Sequence, residues 1–395
     1  MKVALLNTQY WPDEVGGAEH SVRFLAEAVA ARGHAAHVIC TGGEDETITH
    51  SGVTVHRIAR RHANPAPTSP DAPALRKLAW HVWDSYNVPA MRLVQRLLEQ
   101  IRPDVLHTNN VSGLSVSAWS AARRAAVPVV HTLRDYYLLC PKTSMFRGGT
   151  QCESRCVDCR ALSVPKVIAS GRIGTVIGNS HFVLQRHLDA GLFARARCAV
   201  VYNAYEPAKI APLASPRPGA PVFGYIGRLT PTKGVDRLIA AFADIHADYP
   251  DARLLVAGDD TQTFAKTLRT RAAGLPVQFL GRVDPVDFYS RIHWCVVPSL
   301  WHEPLARVLF ESFTHGVPVI SSDTGGSSEV VVNGENGYIY DVRDSGALAR
   351  SMLAAARLEP DTYLAMQQAG FAAGKAFSPS NVVTQYLATY RKAVA

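Results

Sequence analysis

The chain has 395 residues, of which 47% are hydrophobic and 19% charged, and its formal charge is +8 at pH 7. That length exceeds one ordinary core and suits two domains of about 150 to 200 residues each; the apolar content and the absence of a low-complexity tract exclude a disordered chain. The positive balance favours anionic partners, but Lys and Arg are dispersed and no helix-turn-helix, zinc-finger or RNP pattern accompanies them, so nucleic acid is not an expected partner.

In chain order, Val3, Ala4, Leu5 and Leu6 follow a single lysine. They are too short for a signal-peptide core and read as a buried first strand. Short Val- and Ile-rich runs recur at 3–7, 37–40, 105–107, 129–132, 176–179 and 198–201, with stretches long enough for helices between them. Such runs mark parallel strands covered on both faces, and so a doubly wound α/β domain over residues 1–205. Pro207, Pro212, Pro216, Pro218 and Pro221 break helix and sheet, which places a linker at 206–221. The alternation restarts at 222–225, 253–258, 277–280, 295–298, 317–321 and 338–340, predicting a second α/β domain over 222–378. Val382, Val383, Tyr386, Leu387 and Tyr390 recur at helical spacing, so a terminal helix over 379–395 is expected to bury one face by packing back on the first domain. Ligands of open α/β sheets bind outside the carboxyl ends of the strands, and the active site is expected in a cleft that two such sheets face. No run of about 18 apolar residues predicts a membrane span. The expected location is the cytoplasm, with the inner face of the membrane as the place of work if the acceptor is lipid-linked.

Three glycine pairs follow predicted strands. Gly227-Arg228-Leu229-Thr230-Pro231-Thr232-Lys233-Gly234 brings two cations five residues apart, which suits a diphosphate clamp; an ordinary solvated loop is the alternative. Thr324-Gly325-Gly326-Ser327-Ser328-Glu329 and Gly16-Gly17-Ala18-Glu19 are each expected to open a helix whose free N–H groups attract an anion. None is a GxGxxG or a GxxxxGK[ST] pattern, which removes support for a dinucleotide oxidoreductase or a P-loop kinase. Glu303 precedes Pro304, the expected first residue of a helix, and Glu311 lies eight residues on, about 12 Å along the axis. That span suits one carboxylate at a sugar and the other at a ribose; a helix-start glutamate and a surface glutamate are the plainer alternative. Asp259-Asp260 is no Asp-x-Asp metal motif, so no divalent ion is required for catalysis.

Taken together, these residues resemble the retaining glycosyltransferases of family 4. The matching pieces are Gly16-Gly17-Ala18-Glu19, His131, Val201-Tyr202-Asn203, Gly227-Arg228 with Lys233-Gly234, Gly281-Arg282-Val283, Pro298-Ser299, Glu303 with Glu311, the run 316–320, and Gly325-Gly326 with Glu329. They run in family order over nearly the whole chain. The resemblance implies the GT-B fold, two doubly wound Rossmann-like domains facing an interdomain cleft, and transfer of a sugar from a nucleotide diphosphate donor to an acceptor hydroxyl. It implies that Arg228 and Lys233 bind the diphosphate and Glu311 the ribose, and that Glu303 with the backbone at Gly325 and Gly326 holds the donor sugar. Arg282 and Val283 would flank the base, Gly16, Gly17 and Asn203 complete the donor set, and His131 stands beside the reacting centre. Catalytic roles fall to His131, Glu303, Arg228 and Lys233. The family's Phe and Gly are replaced here by Leu305 and Ala306, and a Gly by Ala204, which puts the sugar's identity in question. The acceptor class expected by analogy is a bacterial cell-surface polysaccharide or a glycolipid. A nucleotide-sugar epimerase of the same fold and a catalytically silent nucleotide-sugar binding protein are the alternatives.

Two features fall outside this set. Cys140, Cys152, Cys156 and Cys159 lie within twenty residues at a spacing that suits a structural zinc, with reduced thiols as the alternative. Arg57, Arg60, Arg61 and His62 precede a helical pattern of Leu75, Leu78, Ala79, Val82 and Trp83 interleaved with Arg76, Lys77 and Trp80. This pattern suits either an anionic membrane surface or a helix packed on its own sheet.

Overall fold

The computed structural model describes residues 1–13, 16–59, 73–207, 220–259, 261 and 263–395. Arg60, Arg61 and His62, residues 208–219 of the expected linker, and Asp260 lie outside the described residues. The chain divides into unit 1, with Met1–Met145, Cys152–Asn203 and Pro379–Ala395, and unit 2, with Phe146–Gln151 and Ala204–Ser378.

Unit 1 contains β1 (Lys2–Leu6), α1 (Gly17–Ala31), β2 (Ala35–Gly42), β3 (Glu46–His50), β4 (Val53–Ala59), α2 (Ala74–Ser85), α3 (Val88–Ile101), β5 (Val105–Thr108), α4 (Ser117–Arg124) and β6 (Val129–Leu133). The hairpin of β7 (Phe146–Arg147) and β8 (Thr150–Gln151) belongs to unit 2, where the Gln151 side-chain oxygen accepts the His302 N–H; the expected boundary at 205 did not foresee this excursion. Unit 1 then continues through α5 (Val157–Ser170), β9 (Thr175–Gly178), α6 (His181–Asp189) and β10 (Arg197–Val200). Its sheet has the order β10-β9-β6-β5-β1-β2-β4-β3, parallel throughout except where edge strand β3 runs antiparallel to β4. Every residue of β5 and β9 is buried, and four of five in β1 and β6, which is why these strands read as continuous apolar runs. Strands β3 and β4 had no such run and were not expected. Arg57 lies in β4 with its guanidinium on the Glu46 carboxylate of β3, so it is not part of an exposed basic cluster.

Unit 2 contains β11 (Val222–Ile226), α7 (Val235–Asp248), β12 (Arg253–Ala257), α8 (Thr263–Arg271), β13 (Val277–Gly281), α9 (Pro285–Tyr289), β14 (Trp294–Val297), α10 (Arg307–Thr314), β15 (Val319–Ser322), β16 (Gly337–Tyr340), α11 (Ala347–Ala356) and α12 (Pro360–Gly374). Apart from the β7–β8 hairpin, its sheet has six strands, all parallel, in the order β13-β12-β11-β14-β15-β16. Phe223, Leu238, Phe242, Leu254, Trp294 and Met352 anchor its core. The closing helix α13 (Pro379–Val394) lies in unit 1 and buries Val382, Val383, Tyr386, Leu387 and Tyr390, the five residues expected from the spacing. Each fully buried side chain of this size contributes about 1.5–3 kcal/mol, and the Tyr390 hydroxyl adds a 2.7 Å hydrogen bond to Nδ1 of His107.

In each unit the chain order reverses beside the first strand: β1 is flanked by β2 and β5, and β11 by β12 and β14. Loops leaving these strands at their carboxyl ends therefore diverge and leave a crevice where ligands of doubly wound sheets bind.

Candidate functional site

In unit 2 the loop after β11 meets the loop after β14. Leu300 N–H donates to Thr232 O at 2.8 Å, and Gly234 lies so close to Pro298 that a Cβ there would stand 2.0 Å from the Pro298 carbonyl oxygen. Gly234 also has φ +69°, so only glycine fits both constraints. This contact brings the Lys233 ammonium to 2.6 Å from Oε1 of Glu303, which also accepts the Ser299 hydroxyl. Glu303 is 7% exposed, so a paired cation is what allows its charge to be buried. Arg228 stands on the same loop with its guanidinium exposed, and its carbonyl is tied by the Tyr225 hydroxyl at 2.8 Å.

Two expectations are corrected here. Glu303 is not at a helix start: α10 begins at Arg307, and residues 303–306 are irregular because the Glu303 carbonyl accepts the Gly326 N–H at 3.0 Å and is not available to a first helical turn. The 12 Å helical span between Glu303 and Glu311 therefore does not apply. Gly325-Gly326 opens no α-helix either; residues Gly325–Glu329 form a single 3-10 turn. The glycines serve another purpose, since Gly325 at φ +63° lies against Glu303 with space for no Cβ.

Glu311 is 9% exposed on α10 and pairs with Nε of Arg307 at 2.8 Å, while the Tyr289 hydroxyl donates to its second oxygen at 3.3 Å. The two glutamates thus hold separate partners and do not form a carboxylate dyad. Arg282, exposed at the end of β13, donates to Asp259 at 3.0 Å, and Val283 follows it half-buried. Ser299, quoted in the sequence as part of Pro298-Ser299, thus appears as a partner of Glu303, whereas Tyr289, the last residue of α9, escaped sequence reasoning.

In unit 1, Gly16 is the extended N-cap of α1 and Gly17 its first residue, as expected from the motif. His131, in β6, is 3% exposed, with Nδ1 2.9 Å from the Thr108 hydroxyl and its ring edge-on to Trp119. Burial pushes its pKa down to about 3, so the ring is neutral near pH 7. Arg134, which sequence reasoning missed, donates to Asn109 at 2.8 Å and to the side-chain oxygen of Asn203. It is a buried arginine at the carboxyl end of β6, and a charge in that place was the available signal. Asp135 follows, its pKa pushed up to about 6, mainly by burial.

Burial lowers the pKa of His107 and His187 as well, the latter to about 4. Unfolded histidines take a proton near 6.5. Stability is therefore fully present above that pH and lost as pH falls towards 3 to 4, by up to about 1.4 kcal/mol per pH unit and histidine. Asp84 and Asp135, both raised to about 6 by burial, act in the opposite sense and favour folding as pH drops from 6 towards 4. We expect the melting temperature to fall between pH 6.5 and 5, and to fall less in His187→Phe, which keeps the stacking on Tyr136 without the proton. Equal slopes would assign the acid sensitivity to other groups.

All seven cysteines are free thiols. Burial raises the Cys159 pKa, helped by hydrogen bonds with Cys156 and Cys140, so these three thiols meet at the amino end of α5. Among the described residues, however, no group of three or more His, Cys, Asp or Glu side chains is set to hold a metal ion. The zinc suggested by the spacing of Cys140, Cys152, Cys156 and Cys159 has no ready-made ligand set.

The chain is similar to known proteins over nearly its whole length. The family described as "Glycosyl transferase 4-like domain" matches residues 16–204, and "Glycosyl transferases group 1" matches 213–372. An uncharacterized 42.6 kDa protein in the cps region of Klebsiella pneumoniae is 29% identical over 84% of this chain and 87% of its own length. The phosphatidyl-myo-inositol mannosyltransferase of Mycobacterium leprae is 25% identical over 96% and 93%. The crystal structure of HepE from Anabaena in complex with UDP and glucose superposes with a TM-score of 0.70 at 21% identity, covering 98% of this chain and 99% of the other.

Proposed function

This chain belongs to the GT4-type glycosyltransferases with the GT-B fold, and from that premise we propose that it moves a sugar from a nucleoside diphosphate donor to an acceptor hydroxyl with retention of anomeric configuration. The observation that carries this reading is the cluster of Lys233, Glu303, Ser299 and Gly325-Gly326 at the carboxyl ends of β11, β14 and β15. HepE, solved with UDP and glucose, supports a nucleotide-sugar donor. A saccharide or lipid-linked acceptor draws support from the relative named for phosphatidyl-myo-inositol.

Breaking the anomeric bond leaves negative charge on the departing diphosphate. Fixed cations aimed at that charge stabilise the transition state more than the ground state. Arg228, exposed and on a loop held by Tyr225, and Lys233, held by Glu303, supply those cations. Glu303 both orients Lys233 and, with the backbone at Gly325 and Gly326, offers acceptors to sugar hydroxyls. Glu311, fixed by Arg307 and Tyr289, receives the ribose hydroxyls, and Arg282 with Val283 flanks the base. In unit 1 the same reading assigns Gly16, Gly17 and Asn203 to the donor, with Arg134 positioning Asn203, and places the neutral His131 as a hydrogen-bonding group beside the reacting carbon. The leaving phosphate then takes the acceptor's proton on the same face, which accounts for retention without a nucleophilic carboxylate. The proposed transfer calls on no divalent ion, since Arg228 and Lys233 supply the positive charge that faces the leaving diphosphate.

A thermal-shift panel of UDP, GDP, ADP and their sugar conjugates tests the donor site, because a ligand that binds only the native state raises the melting temperature. One nucleotide is expected to stabilise the wild type and to lose most of that shift in Glu311→Ala. No shift with any nucleotide would defeat the donor assignment. With the donor known, the anomeric coupling constant of the product decides the stereochemistry: an inverted product, or an isomerised free donor in place of a joined product, overturns the reaction proposed.

A further inference from the structure

Unit 1 holds a cavity of about 370 Å³ at the amino ends of its strands, where β6, β9 and β10 begin at Val129, Thr175 and Arg197 and where α13 finishes at Lys392. Trp119, Val127 and Ile173 give it a buried apolar floor. The Trp119 indole N–H is spent on the Thr108 hydroxyl at 3.0 Å, so the ring offers the cavity carbon. Arg123, Arg172, Arg197 and Lys392 also line it, and all four are exposed. Among the described residues no acidic side chain lines the cavity, and the charged groups of Arg123, Arg172 and Lys392 have no hydrogen-bond or ion-pair partner. The Arg197 guanidinium donates to the Lys392 carbonyl at 2.9 Å, which fixes one cation and ties β10 to α13. Arg123 and Lys392 lie in the last turns of α4 and α13, where a cation complements the helix dipole. That preference explains neither Arg197, which enters a strand, nor the convergence of four cations on one hollow. Counting the terminal carboxylate of Ala395, also on the wall, leaves the set positive by four charges to one.

We propose that this cavity is a second ligand site, separate from the donor crevice, and that it takes a small phosphorylated ring compound. Ligands of the transfer reaction belong at the carboxyl ends of the strands, and this cavity lies at the opposite ends. Its volume falls at the lower end of the range of small-molecule sites, about 300–1,000 Å³. Guanidinium groups match phosphate oxygens through paired N–H donors, and cations from four separate segments can surround a dianion, whereas a carboxylate monoanion engages only part of the set. The apolar floor receives the face of the ring. A ligand held there joins the start of β10 to the end of α13. Beyond β10 the chain reaches Asn203, and α13 carries Tyr386; both side chains meet the Arg134 guanidinium, Tyr386 at 3.4 Å. The inference stands apart from the transfer reaction, and either can fail without the other.

Titration calorimetry of the full chain tests it, with glucose 1-phosphate as the probe and glucuronate and glucose as the carboxylate and neutral controls. Glucose 1-phosphate is expected to bind, glucuronate about tenfold more weakly or less, and glucose not at all. Arg123→Ala with Arg172→Ala should weaken the phosphate binding about tenfold or more, the effect of losing charge-assisted hydrogen bonds. Both side chains are exposed and unpartnered, so the melting temperature without ligand stays at the wild-type value and separates lost binding from lost folding. Arg124→Ala with Arg391→Ala removes two exposed cations that are next in sequence to the wall but do not line it, and this variant should bind like the wild type. Arg228→Ala, on the donor loop, should also keep the site. The proposal is overturned if the wild type binds no glucose 1-phosphate, if glucuronate binds as tightly, or if the Arg123 and Arg172 pair binds like the wild type. It is equally overturned if the Arg124 and Arg391 pair loses as much, which would reduce the effect to the general positive field, or if Arg228→Ala alone abolishes binding, which would place the ligand in the donor crevice.

Discussion

Lys233→Ala is expected to lower kcat by about 10²- to 10³-fold, the effect of removing one fixed group from a developing anion, or about 2.7–4 kcal/mol. The loss has two parts. The diphosphate loses a cation, and Glu303, 7% exposed, keeps the Ser299 hydroxyl but loses its paired cation and turns its charge on the phosphate instead of sharing it with Lys233. The two parts separate in a double variant. Lys233→Ala with Glu303→Gln removes the uncompensated carboxylate and should recover part of the donor affinity while kcat stays low. Rates at saturating donor and donor-induced melting shifts on the same preparations measure both. A single variant with wild-type kcat would remove Lys233 from the transition state and leave it a purely structural partner of Glu303.

Gly325→Ala should cost both stability and donor binding. Its φ of +63° is strained for any residue with a Cβ, and that Cβ would stand 1.9 Å from the Glu303 carbonyl oxygen. Backbone strain of about 1–3 kcal/mol and overpacking of about 1–3 kcal/mol add at this position. Relief requires Glu303 to move, which breaks the Gly326 N–H to Glu303 bond and shifts the carboxylate away from Lys233. Gly274→Ala is the control. Its φ is +82° with nothing within 4 Å, so it carries the strain without the clash. The control should lose a few degrees of melting temperature at most, about 1–2 kcal/mol, and keep its nucleotide shift. Gly325→Ala should lose more and bind no donor. Equal behaviour of the two variants would mean that close approach to Glu303 has no consequence.

The two units, the parallel strands and the closing helix were legible in the sequence because each depends on local periodicity. A strand buried on both faces must be apolar along its length, as β5 and β9 are, and a helix with one buried face must show it every three or four residues, as α13 does. The glycine of the Lys233 loop was legible for a similar reason, since positive φ and close approach leave little choice of residue. Edge strand β3 alternates between exposed and half-buried positions and so left no apolar run. Tertiary structure alone decided the rest. Glu303 leaves the expected helix because its carbonyl is taken by Gly326, 23 residues away along the chain, a partner that no local pattern announces. His131 is neutral because Trp119, Phe193 and Thr108 enclose it. The stripe on α2 was visible as a stripe, but whether it meets the sheet or the solvent depends on what packs beside it. Periodicity records that a face is apolar; only the assembled neighbours determine what that face meets.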